Sequence, residues 1–200
     1  FPHACLGVIM PCYSDPRDRE DAHLVANALS LPVREVDLNP VFALLYRQLT
    51  GEEYSGQRGL PIANMKPRLR MITLYYFANS KNYLVVGTGN KSELVMGYFT
   101  KYGDGGVDIL PLGDLVKTQV RELARYLNIP EPIIVKPPSA GLWPAQTDEG
   151  EMGITYAELD AVILGQAPSP DLAQEVARRK ELSQHKRSLP AIPSLAELEG

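Results

Sequence analysis

Apolar and polar positions along this chain switch period repeatedly, and the switches mark out strands alternating with helices. Residues 4–10 form an unbroken apolar run ended by Pro11, the pattern of a strand buried on both faces. Ser14, Asp15 and Pro16 then supply a capping group and an early proline, which predicts a helix over 17–29. Its apolar face carries Ala22, Val25, Ala26 and Leu29. A second strand is predicted over 33–38 and a second helix over 40–49. The glycine-containing loop 50–60 leads into a long helical pattern over 62–80, with Leu69, Ile72, Tyr76 and Phe77 along its apolar side. Pro67 should sit in the first turns of that helix or kink it.

Farther on, 83–87 reads as a third strand and 91–98 as a short helix. The cleanest periodicity lies in 114–127, where Val116, Val120, Leu123, Ala124 and Leu127 share one face. Residues 136–153 hold three prolines and three glycines and read as a long irregular segment, either a functional lid or a linker packed by its own tryptophan. Helices are predicted over 156–164 and 172–185, with a tail over 187–200. Strands alternating with helices predict an α/β domain, a doubly wound parallel sheet with helices on both faces. Ligands of such sheets bind beyond the carboxyl ends of the strands, which places 10–15 and 87–93 on one crevice.

Length and composition narrow the setting. Two hundred residues suit one domain, and 44% apolar with 22% charged residues is the balance of a soluble globular protein. A net charge of −4 offers no basic imprint for nucleic acid or an anionic membrane. No stretch reaches membrane-spanning length. Cys5 and Cys12 form no C-x-x-C pair and read as two small buried hydrophobes of a reducing cytoplasm. The chain opens at Phe1 and enters a strand almost at once, which reads as a fragment of a larger reading frame.

The chemistry concentrates in 85–130. Thr88, Asn90, Lys91, Glu93, Lys101, Asp104 and Asp108 are interleaved there with Gly87, Gly89, Gly97, Gly103, Gly105 and Gly106. Glycine permits positive φ and close backbone approach, so the run reads as an anion-binding loop at a strand end. Glu93 is either a helix-cap carboxylate or a metal ligand. Lys101 and Lys117, with the Thr88 hydroxyl and one carboxylate, suit a magnesium-bound polyphosphate. Lys101 has the alternative of pairing with Asp104 or Asp108. Arg68 and Arg70 lie two apart, so only one can face a given ligand. The only tryptophan, Trp143, sits among hydroxyls and carboxylates in the lid-like segment. His185, Lys186 and Arg187 form a basic cluster whose default role is helix capping.

Four runs carry a resemblance to a known family. Gly87-Thr-Gly-Asn-Lys-Ser-Glu93, the stretch Gly97 to Asp108, Pro111-Leu-Gly-Asp-Leu-Val-Lys117 and Lys136-Pro-Pro-Ser-Ala-Gly-Leu142 resemble the ammonia-dependent NAD+ synthetases, of the ATP pyrophosphatase group. Gln146-Thr-Asp-Glu149 and His185-Lys-Arg187 extend the likeness over nearly the whole chain. The resemblance implies an adenine nucleotide alpha hydrolase-like fold, ATP and Mg2+ as cofactors, deamido-NAD and ammonia as substrates, and a homodimer. It implies that Thr88, Lys117 and Ser139 contact ATP, that Glu93 binds magnesium, and that Arg68, Lys101, Asp108, His185 and Lys186 contact deamido-NAD. Ser139 stands where threonine is common and keeps the hydroxyl.

The family's Ser-Gly-Gly-x-Asp-Ser pyrophosphate loop is absent, with the strand before it and the helix after it, about 30–50 residues at ordinary element lengths. The chain as written is therefore expected to adenylate poorly. Two rival readings stand beside the main one. They are the synthetase domain of a glutamine-dependent enzyme and a non-catalytic nucleotide-binding fragment.

Overall fold

A computed structural model of the chain describes residues 4–143, 146–166 and 169–193. Two short strands, β1 (Gly7–Ile9) and β2 (Val33–Glu35), pair in parallel with Gly7 opposite Val33 and Ile9 opposite Glu35. Helix α1 (Pro16–Ala28) crosses between them, its start set by the Asp15 carboxylate accepting the Arg17 N–H, with Pro16 in the first turn. The second strand is shorter than the 33–38 expected: Val36 and Leu38 still donate to the Ile9 and Pro11 carbonyls in the same register, but Pro11 has no N–H to return a bond, and the chain passes on to α2 (Asn39–Thr50).

The third strand expected over 83–87 is reduced to one parallel bridge, Val86 to Ile109. Gly87 N–H donates to Ile109 O, and the Asp108 and Ile109 N–H groups both reach Val85 O. Among the described residues no strand flanks this bridge, and Leu84 (65% exposed) and Val86 (55%) leave their side chains in the open. Parallel strand segments joined by helices remain the architecture, but the described sheet is small.

The long helical pattern is two helices, α3 (Leu60–Ala63) and α4 (Met65–Lys81), broken at Asn64. Pro67 lies in the first turn of α4 and kinks nothing. The expected apolar side of α4 is only partly covered, since Ile72 and Tyr76 are 60% and 69% exposed. After α5 (Lys91–Met96), helix α6 covers Lys117–Tyr126 rather than starting at 114. Asp114 is drawn off to Lys91, 2.9 Å away, and the first turn of α6 is capped from elsewhere, as described below. The segment 136–153 is less irregular than expected. Helix α7 (Glu131–Val135) precedes it and α8 (Asp148–Met152) closes it, with Thr147 capping α8 through the Gly150 N–H. Helices α9 (Tyr156–Ile163) and α10 (Pro170–Leu182) follow, then a single 3-10 turn, Gln184–Lys186. Most of the expected tail, 194–200, lies outside the described residues.

Two apolar clusters hold these elements. One joins α5, α8, α9 and α10 through Met96, Met152, Ile154, Tyr156, Leu159 and Val176. The other joins the end of β1 to α2 through Cys12, Leu38, Phe42 and Tyr46, with Tyr54 and Leu69 packed on it. Tyr13, Phe42, Tyr46 and Tyr54 meet edge-on or tilted at centroid distances of 4.6–5.5 Å, each such pair contributing about 0.5–1.5 kcal/mol beyond area burial. Cys12 is the buried hydrophobe expected, whereas Cys5 is exposed.

Candidate active site

The glycines of 85–130 mostly serve close packing of the chain on itself. A Cβ on Gly87 would come within 2.7 Å of Val107 and Leu110 side chains, where the bridged segments touch. Gly97 ends α5 in the left-handed region (φ +66°), and a Cβ there would lie 2.2 Å from the Ser183 Cβ. Only a bare backbone fits at that crossing.

Glu93 takes the cap reading, and its second oxygen meets a lysine. One oxygen accepts the Asn90 N–H at 3.0 Å while Asn90 Oδ1 accepts the Glu93 N–H at 3.1 Å, a reciprocal cap on α5. The other oxygen lies 3.1 Å from Lys117 Nζ, and both side chains are about one-fifth exposed. Lys117 Nζ also lies 5.1 Å from the Tyr156 ring centroid.

What brings Glu93 to Lys117 is a pair of residues that sequence reasoning missed. Asp160 on α9 is 2% exposed, and its two oxygens accept the Ser92 hydroxyl (2.5 Å) and the Thr118 N–H (2.8 Å). Ser92 Oγ in turn accepts the Lys117 N–H at 3.0 Å. A hydroxyl from α5 and a carboxylate from α9 thus satisfy the first N–H groups of α6 and set its start at Lys117. One signal could have found Asp160, for it lies four residues after Tyr156 on the apolar face of a predicted helix.

A carboxylate-rich cluster adjoins this pair. Tyr156 donates to Asp148 Oδ2 at 2.9 Å, and Tyr98 donates to Glu151. Asp148 is 4% exposed and its Oδ1 has no hydrogen-bond partner among the described residues, and burial pushes its carboxyl above the ordinary carboxylate range. Burial likewise raises the Tyr98 and Tyr156 phenols.

Four residues ascribed to deamido-NAD by resemblance meet around the loop after α5. Arg68 Nη2 donates to Lys101 O at 3.4 Å, Lys101 Nζ to His185 O, and Lys186 Nζ to Gly97 O (2.7 Å) and Phe99 O (2.8 Å). The basic cluster does cap its own helix, since Arg187 donates to Lys180 O in the last turn of α10, and it also reaches Leu94 O of α5 at 2.7 Å. Lys101 pairs with a carbonyl instead of Asp104 or Asp108. Asp108 stands apart from these four, holding Tyr75 Oη at 3.0 Å and the Val85 N–H at 2.7 Å. Thr88 and Ser139 are exposed. Ser139 Oγ accepts the Gly141 N–H, and the Lys136 ammonium anchors that segment to Asp18 (2.8 Å) and Asp21 (2.5 Å) of α1.

Among the described residues no trio of acidic, histidine or cysteine side chains is grouped as a metal cage. One carboxylate beside one lysine still fits a magnesium ion of the kind held chiefly by nucleotide phosphates and water. No helix among them is long and apolar enough to cross a membrane.

The parallel strand segments joined by helices are those of the adenine nucleotide alpha hydrolase-like fold, and the matches that follow make the chain a ligase. The chain belongs to the NAD synthase family, whose profile matches residues 2–190. It is 53% identical to the NH(3)-dependent NAD(+) synthetase of Carboxydothermus hydrogenoformans over 195 residues, 98% of this chain and 80% of that protein. Among solved structures, the NMN synthetase of Francisella tularensis superposes with a TM-score of 0.88 at 37% identity, over 95% of this chain and 79% of that one. The NH3-dependent NAD synthetase of Campylobacter jejuni superposes at 0.72 and 28% identity, over 94% and 78%.

Proposed function

We propose that the protein forms NAD from deamido-NAD, ATP and ammonia. A carboxylate is a poor acyl donor, so ATP first converts the deamido-NAD carboxylate to an adenylate and pyrophosphate leaves. Ammonia then attacks that carbonyl and AMP departs. The observation that carries this reading is the Lys117–Glu93 pair on a chain 53% identical to a named NH(3)-dependent NAD(+) synthetase. Lys117, with Thr88 and Ser139, is assigned to ATP, its ammonium placed to balance charge building on the phosphates. Arg68, Lys101, Asp108, His185 and Lys186 are assigned to deamido-NAD, supported for four of them by their convergence on one loop. Glu93 would hold Mg2+, which when bound neutralises phosphate charge.

The same reading proposes one cytoplasmic synthetase domain, with 136–153 as a lid-like segment and a homodimer as the working form. The unpaired cysteines and the exposed Ile72 and Tyr76 of α4 support those two placements. The test uses the full-length natural protein. NAD formation is followed with ATP, Mg2+ and deamido-NAD, with ammonium or glutamine as nitrogen donor. Turnover with ammonium alone is expected; turnover only with glutamine, or none while neither nucleotide binds, overturns the reading. A second reading, amidation of the mononucleotide acid to NMN, is favoured by the likeness to the Francisella tularensis enzyme. Supplying that acid in place of deamido-NAD distinguishes the two.

A further inference from the structure

The start of α4 offers the loop after α5 a single face. Asn64, Pro67, Arg68 and Met71 stand at i, i+3, i+4 and i+7, the spacing of one helical stripe. Asn64 sits where asparagine commonly caps a helix, yet its side chain makes no cap bond. Its Oδ1 instead accepts the Thr100 hydroxyl, 36 residues away, at 2.7 Å. Arg68 Nη2 donates to Lys101 O at 3.4 Å. A Cβ on Gly103 would come within 3.0 Å of Pro67, and one on Gly106 within 3.1 Å of Met71, so the loop backbone rests directly on this stripe.

Thr100 is the hub of that contact. It is buried, and each of its polar groups is engaged. Besides the hydroxyl on Asn64, its N–H donates to Asp104 Oδ1 at 2.9 Å, and its carbonyl accepts the Gly103 N–H at 2.9 Å and the Gly105 N–H at 3.2 Å. Those bonds close the turn 101–105. Within it Tyr102 takes a left-handed backbone (φ +60°), which a bulky residue keeps only where its surroundings over-determine it. Lys101 projects from the same turn, its ammonium on His185 O and 5.2 Å from the Tyr102 ring centroid. We propose that Thr100 is a positioning residue for the acid substrate: anchored to Asn64, it fixes the turn 101–105 and with it the place of the Lys101 ammonium. The inference rests on the reading of Lys101 as a deamido-NAD contact, and it gives Thr100 no contact of its own with that substrate.

Thr100→Val keeps the branched shape and removes the hydroxyl alone. In the full-length natural protein it should raise the KM for deamido-NAD at least about fivefold and leave the KM for ATP within about twofold. Thr100→Ser restores a hydroxyl and should bring the deamido-NAD KM back to within about twofold of wild type. Asn64→Ala breaks the same bond from its other end, so the double variant with Thr100→Val should rise no further than either single one. Hydrogen exchange of the ligand-free protein needs no substrate. The Gly103, Gly105 and Gly106 amides should exchange at least about tenfold faster in Thr100→Val, while those of α4 keep their rates. Should Thr100→Val fail to fold, Asn64→Ala carries both measurements. An unchanged deamido-NAD KM, unchanged exchange, KM values for ATP and deamido-NAD that rise together, or multiplying losses in the double variant overturn the proposal. A wild type that uses no deamido-NAD fails the parent reading instead, and the exchange rates then decide by themselves whether Thr100 holds the turn.

Discussion

Lys117 and Glu93, 24 residues apart in the chain, hold their charged ends 3.1 Å apart. Both Glu93 oxygens are engaged, one by a backbone N–H and one by that ammonium, so a charge change can be separated from the cap. Glu93→Gln keeps the cap on Asn90 and should alter stability by no more than about 1 kcal/mol. The magnesium concentration needed for half-maximal NAD formation should rise at least about tenfold. An unchanged magnesium requirement removes Glu93 from the ligand role.

Asp160 positions Lys117 through Ser92 and the start of α6. Asp160→Ala strands the Ser92 hydroxyl and the Thr118 N–H in a buried place, which should cost about 2–4 kcal/mol in urea denaturation. It should also lower kcat/KM for ATP, but not further in a Lys117→Ala background. Multiplying losses in the double variant would mean that Asp160 serves stability alone.

Asp148 carries a sign that can be checked by pH. Burial raises its folded carboxyl above the ordinary 3.8, so the folded state binds the proton more tightly than the unfolded one. Stability should therefore fall as pH rises from 3.8 through the raised value, and the burden is complete above it. Asp148→Asn should be more stable than wild type at neutral pH, with the gain shrinking toward pH 3.8. Urea midpoints across that range decide it, and a variant weaker at every pH contradicts it.

Gly97→Ala should destabilise by about 2–4 kcal/mol, from positive φ and from overlap with Ser183. Ser183→Gly in the same chain should recover the overlap part only. Thermal melts of the wild type and the two variants give the partition.

Local signals were legible in the sequence and long-range ones were not. The Asp15–Pro16 start of α1 and the Asn90–Glu93 box of α5 could be read because every atom involved lies within a few residues. The start of α6 could not, since it is set by Asp160 and Ser92, brought together across 68 residues. The apolar stripe of α4 gave the right helix and the wrong exposure, because periodicity marks a face without saying what covers it. Glu93 was visible as cap or ligand. Its lysine partner depends on two helix starts meeting, which no spacing encodes.

The clasp formed by Lys101, Lys186 and Arg187 ties the loop after α5 to the last described turn, across 84 to 93 residues of chain. During synthesis at about 5–20 residues per second, the loop after α5 therefore waits roughly 5–20 seconds for its clasp to be made. Over that interval the nascent chain carries a loop it cannot fasten, and the loop is held only once the turn at 184–186 and Arg187 have been made.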